Sequence, residues 1–245
     1  MGHRLATVAL GPILLLQGRR VRRRVPRLPE APGARAGIAG RGPPLRLLIA
    51  GDSAGAGVGA PSQEEALSGR LVKELTRDFR IRWQVEARTG ATTADTLARL
   101  EALEPASFDV LVTSLGVNDI TRNVGLPDWL RQQEALLRIA RDRLGVSLSV
   151  VAGLPPVDGF PALPQPLRWY LGRRAREFTR HLERFLAGVP DAHVLDLRFT
   201  RDASLMAEDG FHPGPVIYAG WAERAAGIIR SSFAPADGPA TARET

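Results

Sequence analysis

The amino-acid sequence predicts an α/β fold, a parallel sheet covered by helices on both faces. Three observations predict it. From residue 45 onward, short apolar runs alternate with longer segments of helical period. Apolar strands separated by helices imply a parallel sheet, because helical crossovers cover both of its faces. The chain also has enough material for one core of ordinary size, with 245 residues that are 44% hydrophobic and 24% charged.

The elements follow in order. Residues 1–44 read as a leader plus linker. An apolar stretch from Leu5 to Leu16 is followed by Arg19, Arg20, Arg22, Arg23 and Arg24. A cleavable signal puts its positive charge before the apolar region and small residues after it, whereas here most of the charge follows. The apolar stretch is also shorter than the roughly 20 residues of a membrane span. The preferred reading of residues 5–24 is an interfacial anchor, with apolar side chains in lipid and arginines on anionic headgroups. It places the protein in the cytoplasm, against the inner face of a membrane. A helix packed on the domain's own surface with solvated arginines is the competing reading, and a translocated signal anchor the third. Residues 30–44, rich in Pro, Gly and Ala, read as a linker.

Five apolar runs, at 45–50, 81–87, 108–114, 148–152 and 194–197, read as the strands. Segments of helical period at 63–76, 94–103, 127–143, 167–186 and 215–231 read as the helices, Pro213 and Pro215 helping to start the last. Residues 45–232 thus form one domain, and residues 233–245 read as a disordered tail.

Charge and cysteine count narrow the chemistry. The chain carries a net charge of +7, but residues 1–44 hold nine Arg against one Glu, leaving 24 basic and 25 acidic residues beyond them. The basic character belongs to the leader, so the folded domain is not read as a nucleic-acid binder. There is no cysteine, which excludes disulfides and thiolate metal sites and leaves an oxygen or a lysine as any nucleophile.

In parallel sheets ligands bind beyond the carboxyl ends of the strands. The loops there carry "GDSAGAG", "RTGATT", "LGVNDITRN", "GLPPVDGFPALPQP" and "EDGFHPG". In the last, Asp209 and His212 stand three residues apart, and a tight turn brings such a pair together. The carboxylate then fixes the imidazole tautomer and leaves the other nitrogen free as a general base. Ser53, just beyond the first strand, lies on the same rim. A serine hydroxyl is a poor nucleophile until a base within hydrogen-bond reach takes its proton, so Ser53, His212 and Asp209 form a candidate triad. Acyl transfer also needs donors for the developing oxyanion, and the N–H groups of Ser53 and Gly90 and the side-chain amide of Asn118 are candidates.

In that order and spacing, "AGDSAGAG", the glycine of "RTGATT", "GVND" and "DGFHP" resemble the four blocks of the SGNH (GDSL-like) hydrolases, over residues 45–229. The resemblance implies a flavodoxin-like three-layer α/β/α sandwich with a five-stranded parallel sheet. It also implies ester hydrolysis without metal or cofactor, by attack of Ser53, with His212 as base, Asp209 orienting it, and Ser53, Gly90 and Asn118 as the oxyanion hole. The substrate is then a small-molecule ester or acyl compound, and Asp52 and Asp119 hold loops by hydrogen bonds. Ala54 stands where the family's name expects leucine, a packing detail.

The rival reading is nucleotide binding. "GAGVGA" from Gly55, including Gly57, fits a dinucleotide fingerprint, and Glu86 near the end of the second strand is placed for a ribose hydroxyl. It suffers in register, since Gly55 lies well past the strand end, and it leaves "GVND" and "DGFHP" without a use. A Walker loop fails because Lys73 is the one lysine in the chain. His3, His181 and His193 have bland roles, while Trp169 and Tyr170 in "FPALPQPLRWYLG" either wall an acyl pocket or pack the loop on its helix.

Overall fold

Parallel strands buried on both faces need apolar side chains in both directions. In the computed structural model, which describes residues 2–233, strand β2 (Pro44–Gly51) does this with Leu45, Leu47 and Ile49 on one face and Leu48 and Ala50 on the other, all buried. Around it lie β1 (Ala36–Ala39), β3 (Arg80–Ala87), β4 (Val110–Ser114), β5 (Leu148–Ala152) and β6 (Ala192–Leu195), in the order β1-β3-β2-β4-β5-β6. All neighbours are parallel except β1, which runs antiparallel to β3.

The helices are α1 (Gly2–Arg24), α2 (Leu67–Leu75), α3 (Thr93–Ala102), α4 (Val117–Thr121), α5 (Leu126–Leu144), α6 (Leu167–Leu186) and α7 (Pro215–Phe233). On one face α2 and α7 bury Leu71, Leu75, Tyr218 and Ala222 against the odd-numbered side chains of β2. On the other, α3 and α5 pack Leu100, Leu136 and Ala140 against Leu48 and Leu111, and α6 continues that layer with Phe178 and Leu182 beside Val151. The result is a flavodoxin-like three-layer sandwich whose parallel part comprises the five expected strands.

Three differences from the sequence reading have physical causes. Within the stretch read as a linker, residues 36–39 form the antiparallel edge strand, and Gly37 lets the Trp83 ring lie across it: a Cβ there would sit 2.3 Å from the ring. The helix expected from residue 63 begins at Leu67, because buried Gln63 serves as a tie instead. Its Nε2 donates to Ala31 O (3.1 Å) and Ala56 O (2.9 Å), and its Oε1 accepts from Ser68 Oγ (2.7 Å). The loop after β4 contains α4, entered through Gly116 at φ 114°. Apart from Phe233, the tail expected at 233–245 lies outside the described residues. No helix among the described residues is long and apolar enough to cross a membrane.

Candidate active site

The three central strands end level. Gly51 of β2 is in register with Ala87 of β3 and Ser114 of β4, so the loops that begin at residues 52, 88 and 115 leave one edge of the sheet together. Chain order reverses at β2, with β3 on one side and β4 on the other, and open parallel sheets form ligand clefts at such a point.

Ser53 lies in the turn after β2, where Ala56 N–H donates to Asp52 O at 3.0 Å and Val58 N–H to Ser53 O at 2.9 Å. Gly51 permits the close approach of β4, since a Cβ would stand 2.3 Å from Ser114 O. Asp52 is buried and accepts from Ser114 Oγ (2.9 Å) and Ala54 N–H (3.1 Å), which ties the turn to the end of β4. Burial pushes its carboxyl up to about 6 in spite of those two bonds.

His212 is delivered by a turn that folds back on itself. Ala207 N–H donates to His212 O at 2.9 Å, Gly214 N–H to Leu205 O at 3.1 Å, and Gly210 adopts φ 63°. Inside it, Asp209 Oδ1 accepts the backbone N–H of Phe211 (2.9 Å) and of His212 (3.0 Å), while Oδ2 lies 2.5 Å from His212 Nδ1. A carboxylate only accepts, so Nδ1 carries the proton and the neutral ring keeps its lone pair on Nε2. That nitrogen is 3.0 Å from Ser53 Oγ, 159 residues away in the sequence. The Asp209 side chain is fully buried; burial opposes its ionisation, but the hydrogen bonds from His212 and Phe211 outweigh it and hold the carboxyl below its ordinary value.

Gly90 and Asn118 come together on the neighbouring loops. Asn118 Nδ2 donates to Ala91 O at 3.0 Å, which joins the start of α4 to the segment after β3. Gly90 adopts φ 80°, and the N–H groups of Ser53 and Gly90 have no acceptor among the described residues. Asp119 at the base of α4 is buried and accepts from Thr93 N–H and Thr93 Oγ1, each at 3.1 Å, while Trp129 Nε1 donates to the same hydroxyl at 3.0 Å. Burial raises the Asp119 carboxyl above its ordinary value despite these bonds.

A cleft of about 860 Å³, its open mouth included, begins at Ser53 and His212. Its walls are largely apolar, with Leu115, Val117, Phe160, Met206, Phe211 and Ile217 prominent. Phe211 meets the His212 ring edge-on at 5.2 Å and Phe160 at 5.3 Å, forming a continuous aromatic wall. Trp169 and Tyr170 are not in this lining: Tyr170 is buried in the α6 core, and Trp169 stands on the surface with Arg173 5.5 Å from its ring centre. Phe160 and Phe211, each preceded by a glycine in the sequence, take the place considered for that pair.

The glycine turn gives no room to a pyrophosphate. A Cβ on Gly57 would meet Ala66 at 2.7 Å and Ala31 at 2.8 Å, and one on Gly59 would meet Pro213 O at 2.4 Å, so protein already fills the space beside the turn. No helix starts there to offer its N-terminus, α2 beginning only at Leu67, and Glu86 is paired with Arg99 at 3.0 Å. Among the described residues no cluster of three or more His, Asp or Glu side chains is placed to hold a metal ion.

Comparison with known proteins agrees with this fold. A family model described as GDSL-like lipase/acylhydrolase matches residues 49–219. No curated protein matches the sequence. Among solved structures, a lipase from a goat rumen metagenome is 20% identical with a TM-score of 0.61, over 75% of this chain and 97% of that one. An acetylxylan esterase from Geobacillus stearothermophilus is 16% identical with a TM-score of 0.56, over 79% and 96%. A psychrotrophic esterase from Pseudoalteromonas, in a structure inhibited by monoethylphosphonate, is 21% identical with a TM-score of 0.57, over 76% and 97%. At these identities the likeness is one of fold.

Proposed function

The chain belongs to the GDSL-like lipase/acylhydrolase family, and on that premise we propose that it hydrolyses carboxylic esters through an acyl-enzyme formed on Ser53. The observation that carries the reading is the unbroken relay from Asp209 Oδ2 through the His212 ring to Ser53 Oγ, with spans of 2.5 and 3.0 Å.

His212 Nε2 takes the hydroxyl proton as Oγ attacks the acyl carbonyl. The N–H groups of Ser53 and Gly90 and the Asn118 amide receive the oxyanion. Collapse expels the alcohol, which leaves with the proton held on His212; water, deprotonated by the same nitrogen, then attacks the acyl-serine and releases the acid. Asp209, ionised, keeps Nδ1–H in place and offsets the charge of the imidazolium. Nucleophile, base and orienting charge all come from side chains, and the reaction is written without metal or cofactor. The apolar walls of the cleft suit a hydrocarbon portion of the ester, acyl or alcohol.

The test is hydrolysis of short-chain nitrophenyl esters by the wild-type chain and by Ser53→Ala. The reading expects turnover by the first and near-complete loss in the second; equal activity in both would overturn it.

A further inference from the structure

Over residues 10–24, helix α1 is docked along one stripe and exposed along much of the rest. Leu10, Leu14, Gln17 and Val21, at i, i+4, i+7 and i+11, share a face. Leu14 is buried in the core cluster that includes Phe160 and Leu163, with Leu10 and Val21 packed against it. Gln17 clasps the entry to α6: its Nε2 donates to Gln165 O at 2.6 Å and its Oε1 accepts Leu167 N–H at 3.0 Å.

This packing leaves other apolar side chains unexplained. Ile13, Leu15 and Leu16 are 49%, 65% and 67% exposed, so four consecutive positions contribute half of the six most exposed large hydrophobics among the described residues. One turn further on, Arg19, Arg20, Arg22, Arg23 and Arg24 have no carboxylate partner among the described residues. Trp169, 40% exposed, lies two residues past the Gln17 clasp in α6, with Arg173 against its ring.

A helix that only covers its own domain presents polar residues outward. Here the outer face is divided along its length, apolar first and basic second. Leu16 and Arg20 are about 6 Å apart along the axis, close to the roughly 5–7 Å thickness of one headgroup layer. We propose that α1, together with the exposed Trp169 two residues past its Gln17 clasp, docks the protein on a membrane surface rich in anionic lipid. Ile13, Leu15 and Leu16 enter the acyl region, the arginines engage headgroup phosphates, and Trp169 sits at the interface. A nucleic acid would satisfy the arginines but leave the three aliphatic side chains in water. Because Gln17 and Leu14 hold the segment that leads from the cleft wall at Phe160 into α6, docking fastens that wall to the lipid surface. The proposal is independent of the chemistry at Ser53.

The test is co-sedimentation of the full-length chain with phosphatidylcholine vesicles and with vesicles that also contain phosphatidylglycerol. The expected result is binding to the second kind only, weakened by salt. Replacing Arg19, Arg20, Arg22 and Arg23 by Gln weakens it by more than about 100-fold, at about fivefold per arginine. Ile13→Ser, Leu15→Ser and Leu16→Ser together weaken it by at least about tenfold. Hydrolysis of soluble esters by these variants is unchanged. Equal binding to both kinds of vesicle, indifference to the arginine changes, or displacement of the chain from vesicles by a DNA duplex would overturn the proposal. Ser53→Ala binds vesicles like the wild type, and a wild-type chain that docks but does not hydrolyse esters counts against the ester-hydrolase reading alone.

Discussion

Replacing Asp209 by Asn removes a charge and keeps the shape. The buried Asp209 carboxylate accepts three hydrogen bonds, from Phe211 N–H, His212 N–H and His212 Nδ1–H. Asparagine retains the first two through its carbonyl oxygen, but its amide would point N–H at Nδ1. The ring then keeps its lone pair on Nδ1 and its proton on Nε2, facing Ser53 Oγ, where it no longer accepts the serine proton. A wrong tautomer in such a relay costs about 10⁴ in kcat, which corresponds to about 5.4 kcal/mol of barrier. Exchanging one charge-assisted hydrogen bond for a neutral one lowers stability by only about 1–2 kcal/mol. The assay is steady-state hydrolysis of a nitrophenyl ester by wild type and Asp209→Asn, with thermal melts alongside. The expected outcome is a fall in kcat with KM nearly unchanged and the fold intact. A loss below about tenfold in a folded variant would refute the tautomer argument.

Three further outcomes follow from the same geometry. Asp52 holds its proton in the folded chain up to about 6, against 3.8 ordinarily, so between those values the folded state binds protons that the unfolded state has released. Its contribution therefore declines as pH rises through that window, by roughly 3 kcal/mol at 1.36 kcal/mol per pH unit; denaturant melts of wild type and Asp52→Asn should show a stability difference shifting in the variant's favour from pH 4 to 6. Asn118→Ala removes the amide offered to the oxyanion and the tie to Ala91 O, and kcat should fall by about 10²–10³ while the melting temperature changes little. Gly57→Ala places a methyl 2.7 Å from Ala66 Cβ at a residue with φ 83°, and should cost about 2–3 kcal/mol in a denaturant melt.

Much of the fold could be read from the residues because strands covered on both faces have no polar side to confuse the pattern. Strand β5 and helix α6 fall at their expected bounds, 148–152 and 167–186. Edge strand β1 could not be read, since "AGIA" offers one large side chain and its place depends on a ring, Trp83, more than 40 residues away. Helix α4 is five residues long, too short for a periodicity to appear. At the candidate site, Ser53, Asp209 and His212 were legible because each lies in a short glycine-bearing loop just past a strand or before a helix. The cleft wall was not, because Phe160 and Phe211 meet only through the fold and nothing in their local sequence marks them as a pair. In the leader, one stripe of α1 packs on the domain, and Ile13, Leu15 and Leu16 remain outside it.

The account rests on a serine hydroxyl made nucleophilic by His212. Treating the folded chain with a fluorophosphonate and mapping the adduct by peptide mass spectrometry tests it most directly. The account predicts one phosphonyl group, on Ser53, formed rapidly in the wild type and far more slowly in His212→Ala. Modification at another serine, or labelling of Ser53 at the same rate without the imidazole, would contradict it.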